Sequence, residues 1–244
     1  MSGEHLLGFC EHILMLLALE TANDQCSVAL IDADGQVLAM RHDGRAREQT
    51  RLLLPMIDAV LAEAQTSLPQ LSAIAFSRGP GSFSGIRINA AVTQALAWAH
   101  DLPVLPISTL QATAQAALAH STATRIMVVL DARMNEVYVG AYQRDQAGVL
   151  QLVGDEQLLG YTAVQLPAEW QQDPSVLWVG SGVRLLAAVP AESSLHDASA
   201  SAIQIAQLGL LAQQAGQAVS ALHALPVYLR DDAWKKLADQ GKPA

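Results

Sequence analysis

The residues best equipped for chemistry fall at four places. Arg78-Gly79-Pro80-Gly81-Ser82-Phe83-Ser84-Gly85 follows an apolar strand pattern at 73–76 and precedes a helical one. Backbone N–H groups at such a helix start can cradle an anion, which makes Gly79, Gly81 and Ser82 candidates for a nucleotide or anion loop. The same residue types also suit a tight turn whose glycines admit close helix packing, with Ser82 or Ser84 as N-cap. The run lacks the Lys-Ser/Thr ending of a P-loop and is not GxGxxG. Glu20 and Asp131 each end an apolar strand pattern. Carboxylates so placed either hold magnesium with nucleotide phosphates or bond to neighbouring loops. Gly180 and Gly182, flanking Ser181 after the pattern 176–179, would support an adenosine ring, although a single GxG specifies little.

Other catalytic sets lack their spacing. The seven histidines are His5, His12, His42, His100, His120, His196 and His223. None forms the HxxxH or HExxH pair that places two imidazoles on one helix face. His196-Asp197 reads as part of a polar loop, and no GxSxG nucleophile elbow occurs.

The elements that position these loops follow from periodicity. Strands are expected at 13–19, 26–31 and 36–42, the last two joined by the turn Asp32-Ala33-Asp34-Gly35. An amphipathic helix is expected at about 47–65, a strand at 73–76, a helix ending near His100 and a buried strand at 103–107. The order then restarts. Val128-Val129-Leu130-Asp131 repeats the apolar-run-then-carboxylate pattern of Leu16-Leu17-Ala18-Leu19-Glu20. A second strand follows at 136–142, and then a Gly turn. Glu20 and Asp131 lie 111 residues apart, and Gly35 and Gly148 lie 113 apart. Such a repeat predicts two related α/β lobes around a cleft, the plan of the actin-like ATPase (RNase H-like) fold. Ligands of open α/β sheets sit beyond the carboxyl ends of the strands.

At 100° per residue, Leu52, Leu53, Leu54, Met56, Ile57, Val60, Leu61 and Ala64 span an apolar arc of roughly 200° on the first helix, wider than one sheet contact needs. The excess is covered either by the neighbouring helix or by a partner. The next helix offers Ile88, Ala91, Val92 and Ala95 beside the small Ala90 and Ala99.

Composition bounds the partners. The chain has 244 residues, 51% hydrophobic and 15% charged, with a net charge of −9. That suits a packed core and argues against tight independent binding to nucleic acid, which rests on clustered Lys and Arg. Arg41, Arg45, Arg47 and Arg51 form the one local basic cluster and read as a solvated helix start. Two cysteines, Cys10 and Cys26, with no CxxC fit a reducing compartment. The N-terminal apolar stretch at 6–10 is too short for a signal peptide and is flanked by Glu4 and Glu11. No run nears the ~18 apolar residues of a membrane span. A cytoplasmic location is expected.

Several segments together resemble the TsaB (YeaZ) family. They are Leu17-Ala18-Leu19-Glu20-Thr21 with Cys26-Ser27-Val28-Ala29-Leu30, the glycine loop from Arg78 to Arg87, Asp131-Ala132-Arg133 with Glu136-Val137-Tyr138, and Pro226-Val227-Tyr228-Leu229-Arg230. The likeness covers roughly residues 13–237. It implies a non-catalytic subunit needed to place threonylcarbamoyl on the adenosine beside the anticodon of tRNA. Such a subunit would dimerise with the catalytic relative TsaD, recruit the ATPase TsaE, form a homodimer in isolation and meet tRNA only through the complex. No cofactor would be required, with weak nucleotide binding left open. TsaD carries an HxxxH metal site just after a strand, and Thr109 and Thr113 stand where those histidines would be. Hydroxyls are poor substitutes there. The resemblance assigns the partner surface to Leu53, Leu54, Ile57, Asp58 and Leu61 with Ile88, Ala91, Val92 and Ala95. The expected parts are an irregular extension 1–12, an N-terminal lobe 13–108, a C-terminal lobe 109–225 and a tail 226–244. Residues 1–14 precede the usual family start near Met15 and are expected to be dispensable. Gln49 replaces a histidine common in relatives, and Asp231-Asp232-Ala233-Trp234 departs from an asparagine-rich form. The alternatives are an actin-like-fold enzyme, either an ATP-dependent transferase or a glycoprotease-like hydrolase, and a direct tRNA-binding module.

Overall fold

A computed structural model describes residues 14–45, 47–171, 173–187, 189, 193–195 and 197–230. Two five-stranded sheets organise them. The first comprises β1 (Leu16–Glu20), β2 (Cys26–Ile31), β3 (Val37–Asp43), β4 (Ala73–Gly79) and β5 (Val104–Ser108) in the order β3-β2-β1-β4-β5. The second comprises β6 (Arg125–Arg133), β7 (Glu136–Arg144), β8 (Leu150–Gly160), β9 (Leu177–Val179) and β10 (Ser194–Leu195) in the order β10-β9-β6-β7-β8. Read from the other edge, the second order repeats the first. In each sheet the first strand pairs antiparallel with the second and parallel with the fourth. The repeat expected from the strand-end carboxylates is therefore a repeat of topology, the two-lobed actin-like plan.

β1 is buried along its whole length, which explains why it reads as a continuous apolar run rather than an alternating one. Its side chains still alternate between faces. Leu17 and Leu19, with Val28, Leu30, Ile74 and Phe76, meet helix α1 (Gln49–Glu63) and helix α2 (Phe83–Ala99). Leu16 and Ala18, with Ala29, Ile31, Ala75 and Leu105, meet helix α4 (Ala202–Gln214). In the second lobe, Ile126, Val128 and Leu130 pack with Leu110, Ala114 and Ala117 of helix α3 (Thr109–Ala117), while Met127 and Val129 pack with Val137 and the fully buried Trp170.

The expected lobe boundary at 109–225 is corrected. Helix α4 lies on the N-terminal sheet, and Val219 then exchanges backbone hydrogen bonds with Val104 at 2.8 and 2.9 Å. Ala221 and Ala224 join the core between α1, α2 and that sheet. The physical reason is the second apolar face of the first sheet, which among the described residues the C-terminal helix covers. The N-terminal extension 1–12 and residues 231–244 of the tail lie outside the described residues.

Candidate functional site

Between the lobes lies a cleft of about 1070 Å³. The loop after β1 (Ala22 to Gln25), the start of α1, the start of α2, the β6–β7 turn, Ser181, Asp197 to Ser199 and Val227 to Arg230 line it. The four segments singled out by sequence each reach this cleft, but most of their candidate atoms are spent on holding the walls.

Glu20 is one such group. It is fully buried, and its Oε1 accepts from the N–H groups of Ala22 (2.6 Å) and Asn23 (3.2 Å). Burial pushes its pKa up to about 7, against the Ser77 side chain and those two amides, which pull it down. Glu20 does not line the cleft, so it fixes the β1–β2 loop and is not a magnesium ligand facing the cleft. Asp131 does line the cleft, where it accepts from Arg133 N at 2.8 Å and pairs with the Arg133 guanidinium at 2.9 Å.

The glycine loop packs on the same β1–β2 loop. A Cβ on Gly85 would lie 2.0 Å from Thr21 O, and one on Gly81 would lie 2.4 Å from Ala22 O. Ser82 N donates to Ala22 O at 2.7 Å, and the Ser82 hydroxyl caps α2 by accepting from Gly85 N. The structure thus assigns close packing and capping to this loop, with Gly81 and Ser82 on the cleft wall and Gly79 behind it. In the second lobe, Gly180 has φ +105° and sits where a Cβ would lie 2.5 Å from Val129 O. Its N–H donates to Leu195 O, and that of Gly182 donates to Val129 O. Neither glycine lines the cleft, although Ser181 does.

Thr109 and Thr113 occupy the first and second turns of α3, both fully buried, and the Thr113 hydroxyl donates to Thr109 O at 2.8 Å. Gln49, at the start of α1, is buried and donates to Asn23 O at 3.2 Å, tying α1 to the β1–β2 loop. The basic cluster is largely neutralised: Arg41 pairs with Glu63, Arg45 with Asp43 and Arg51 with Glu48. Away from the cleft lining, Glu156 of β8 accepts from Ser108 and from Tyr142 (2.6 Å), and lies 3.6 Å from the Arg78 guanidinium. That carboxylate joins the lobes, and no sequence motif points to it.

The helix face divides cleanly. Leu53, Ile57 and Leu61 are buried against the sheet, with Ile57 2% exposed, so these three expected partner residues are core. The arc was wide because α1 packs on both the sheet and α2. Leu54 (50% exposed), Asp58, Ala91 and Ala95 face outward, with Ile88 and Val92 half-buried between the helices. Trp98, 67% exposed, lies on the same row of α2 as Ala91 and Ala95 at i, i+4, i+7 spacing, a signal the sequence reading missed. The turn Ala221–His223 beside α2 carries the exposed Leu222 and is followed by the exposed Leu225.

Comparison with known proteins completes the description. The family model described as "TsaD: tRNA N6-adenosine threonylcarbamoyltransferase" matches residues 44–236. The Escherichia coli "tRNA threonylcarbamoyladenosine biosynthesis protein TsaB" is 38% identical over 92% of this chain and 98% of that protein. The Haemophilus influenzae protein of the same name is 34% identical over 92% of this chain and 97% of its own length. The solved structure of YeaZ from Pseudomonas aeruginosa superposes with a TM-score of 0.81 at 37% identity, covering 89% of this chain and 100% of that one.

Proposed function

Starting from the TsaB (YeaZ) family, to which this chain belongs, we propose that it serves tRNA threonylcarbamoyladenosine biosynthesis as a partner-binding, non-catalytic subunit. It dimerises with a TsaD-type transferase and recruits the ATPase TsaE. In isolation it self-associates through the same face. The observation that carries this reading is the outward row Leu54, Asp58, Ala91, Ala95 and Trp98 on the α1–α2 pair. Apolar surface gathered around small residues lets a second pair of helices approach closely, and a large aromatic at its end is the kind of residue that anchors interfaces.

The absence of chemistry in this reading rests on side-chain type. Thr109 and Thr113 hold hydroxyls at the two α3 positions, one already bonded to the helix backbone, and hydroxyls bind transition metals poorly. No cofactor is required, and any nucleotide bound in the cleft binds weakly. With a net charge of −9 and three of its four clustered arginines ion-paired, the chain meets tRNA through its partner's surface. Light scattering on a mixture of this protein with its TsaD tests the reading. A one-to-one complex formed at the expense of homodimer is the expected result; two independent species would overturn it.

A further inference from the structure

The hairpin between β6 and β7 turns through Arg133, Met134 and Asn135, three successive residues with positive φ (62°, 57° and 61°). Two-residue hairpin turns of the I′ type require positive φ at both central positions, which Asn-Gly supplies with little strain. Here the chain places a methionine and, just before it, an arginine, and side chains of those shapes disfavour the left-handed region. Such a conformation persists where the surroundings over-determine it. Met134 is 79% exposed, so its own packing does not hold it.

Besides the Asp131–Arg133 contacts and the Tyr161 N–H that donates to Asn135 O at 3.3 Å, what holds it is Arg230. Its guanidinium donates to Ala132 O at 3.1 Å, pairs with Glu136 at 2.6 Å and touches Met134 Sδ at 3.4 Å. One planar fork therefore spans the turn from the residue before it to the residue after it. Arg230 ends the segment 226–230, in which Val227 and Tyr228 are fixed to the opposite lobe. Val227 N donates to Arg78 O at 2.8 Å. The Tyr228 ring lies against Phe83, and its hydroxyl accepts from Arg87 Nε at 2.8 Å. Arg87 itself stacks 3.5 Å over the Phe83 ring. The segment thus runs from one lobe to the other, and Val227 to Arg230 line the cleft between them. Among the described residues a single backbone hydrogen bond secures them, so their attachment depends on exposed or half-exposed side chains.

We propose that residues 226–230 are a displaceable strap that holds the interlobe cleft closed, latched by Arg230 onto the strained β6–β7 turn. Unlatching lets the turn relax toward negative φ and lets the lobes part about the half-buried Glu156 junction.

The test uses the full chain carrying spin labels at the exposed positions Ala62 on α1 and Asp155 on β8, with Cys10→Ser. Backbone hydrogen exchange is read on the same variants without labels. In Arg230→Ala, exchange at 133–137 should rise at least tenfold and the interlobe distance should gain a longer population, with the α1 and β1 amides and those of β6 from 125 to 130 unchanged. Tyr228→Ala releases the opposite end, so it should lengthen the distance without raising exchange at the turn. Adding Met134→Gly to Arg230→Ala should slow the turn's exchange again while the lobes stay apart. Unchanged distances in both Arg230→Ala and Tyr228→Ala would overturn the strap. Exchange rising equally in all elements would likewise overturn it, since Arg230 would then serve general stability alone.

Discussion

Ala91→Glu and Ile57→Asp place a carboxylate on neighbouring helices of the same proposed platform, yet the structure predicts opposite outcomes. Ile57 is 2% exposed and packs with Leu53, Val60 and Leu61 against the sheet. An aspartate there is an unpaired buried charge, which costs several kcal/mol, out of a total stability of about 5–15 kcal/mol. At about 2–4 °C per kcal/mol for a chain of this size, the melt should fall by more than about 10 °C or disappear. Ala91 faces outward, so Ala91→Glu should change stability by no more than about 0.5 kcal/mol. A charge sealed unpaired inside an interface costs about 3–5 kcal/mol. At 1.4 kcal/mol per decade this weakens association with TsaD by roughly a hundredfold to a few thousandfold. Light scattering at a series of concentrations, with a thermal melt on each sample, reads both quantities. If Ala91→Glu stays folded and binds as tightly as the unaltered protein, the interface lies elsewhere. If Ile57→Asp folds normally, the division of the α1 arc into core and surface is wrong.

Three further outcomes follow from particular contacts. Gly85→Ala would set a methyl 2.0 Å from Thr21 O, an atom of backbone that cannot rotate aside. Overpacking of this kind costs about 1–3 kcal/mol or more, so the melting temperature should drop by several degrees; no drop would mean the two loops are not in contact. Glu20 has a folded pKa of about 7 against 4.5 for the free side chain. Its contribution is therefore fully present below about pH 4.5 and lost as pH rises through 7, a change of about 3 kcal/mol. Glu20→Gln should flatten that part of the stability profile, and an unchanged slope in urea titrations between pH 5 and 7.5 would refute the assignment. The Cys26 thiol is buried, and burial, with Glu20 and Asp43 nearby, pushes it up to about 12. It should resist a thiol reagent at pH 8 until the protein is unfolded; rapid labelling of Cys26 in the folded protein would contradict its placement.

Much of the fold was legible because the repeat is written in strand-end carboxylates and turn glycines, which survive as residue types. Strand positions followed from apolar runs, although β4 and β6 extend beyond them into polar ends such as Ser77-Arg78-Gly79 and Ala132-Arg133. The return of α4 to the first sheet was not legible, since an apolar helix carries no mark of which lobe it covers. The candidate site was half legible. Glycines at 81, 85, 180 and 182 announce close approach, but sequence does not distinguish a ligand from another stretch of backbone as the thing approached. The α1 arc likewise could not be divided until its neighbours were in place. The Arg230 latch and the Glu156 junction join residues about a hundred and about fifty or more positions apart, a separation at which a single sequence holds no periodic signal.

The central claim is that this chain supplies a partner surface and no chemistry of its own. It is tested most directly by following threonylcarbamoyladenosine formation on tRNA, with threonylcarbamoyl-adenylate supplied and TsaD and TsaE present. Turnover should require this protein, be lost with Ala91→Glu and survive Asp131→Asn, a change to the one strand-end carboxylate that faces the cleft. Product formed by this protein with tRNA and the adenylate alone, and abolished by Asp131→Asn, would contradict the account.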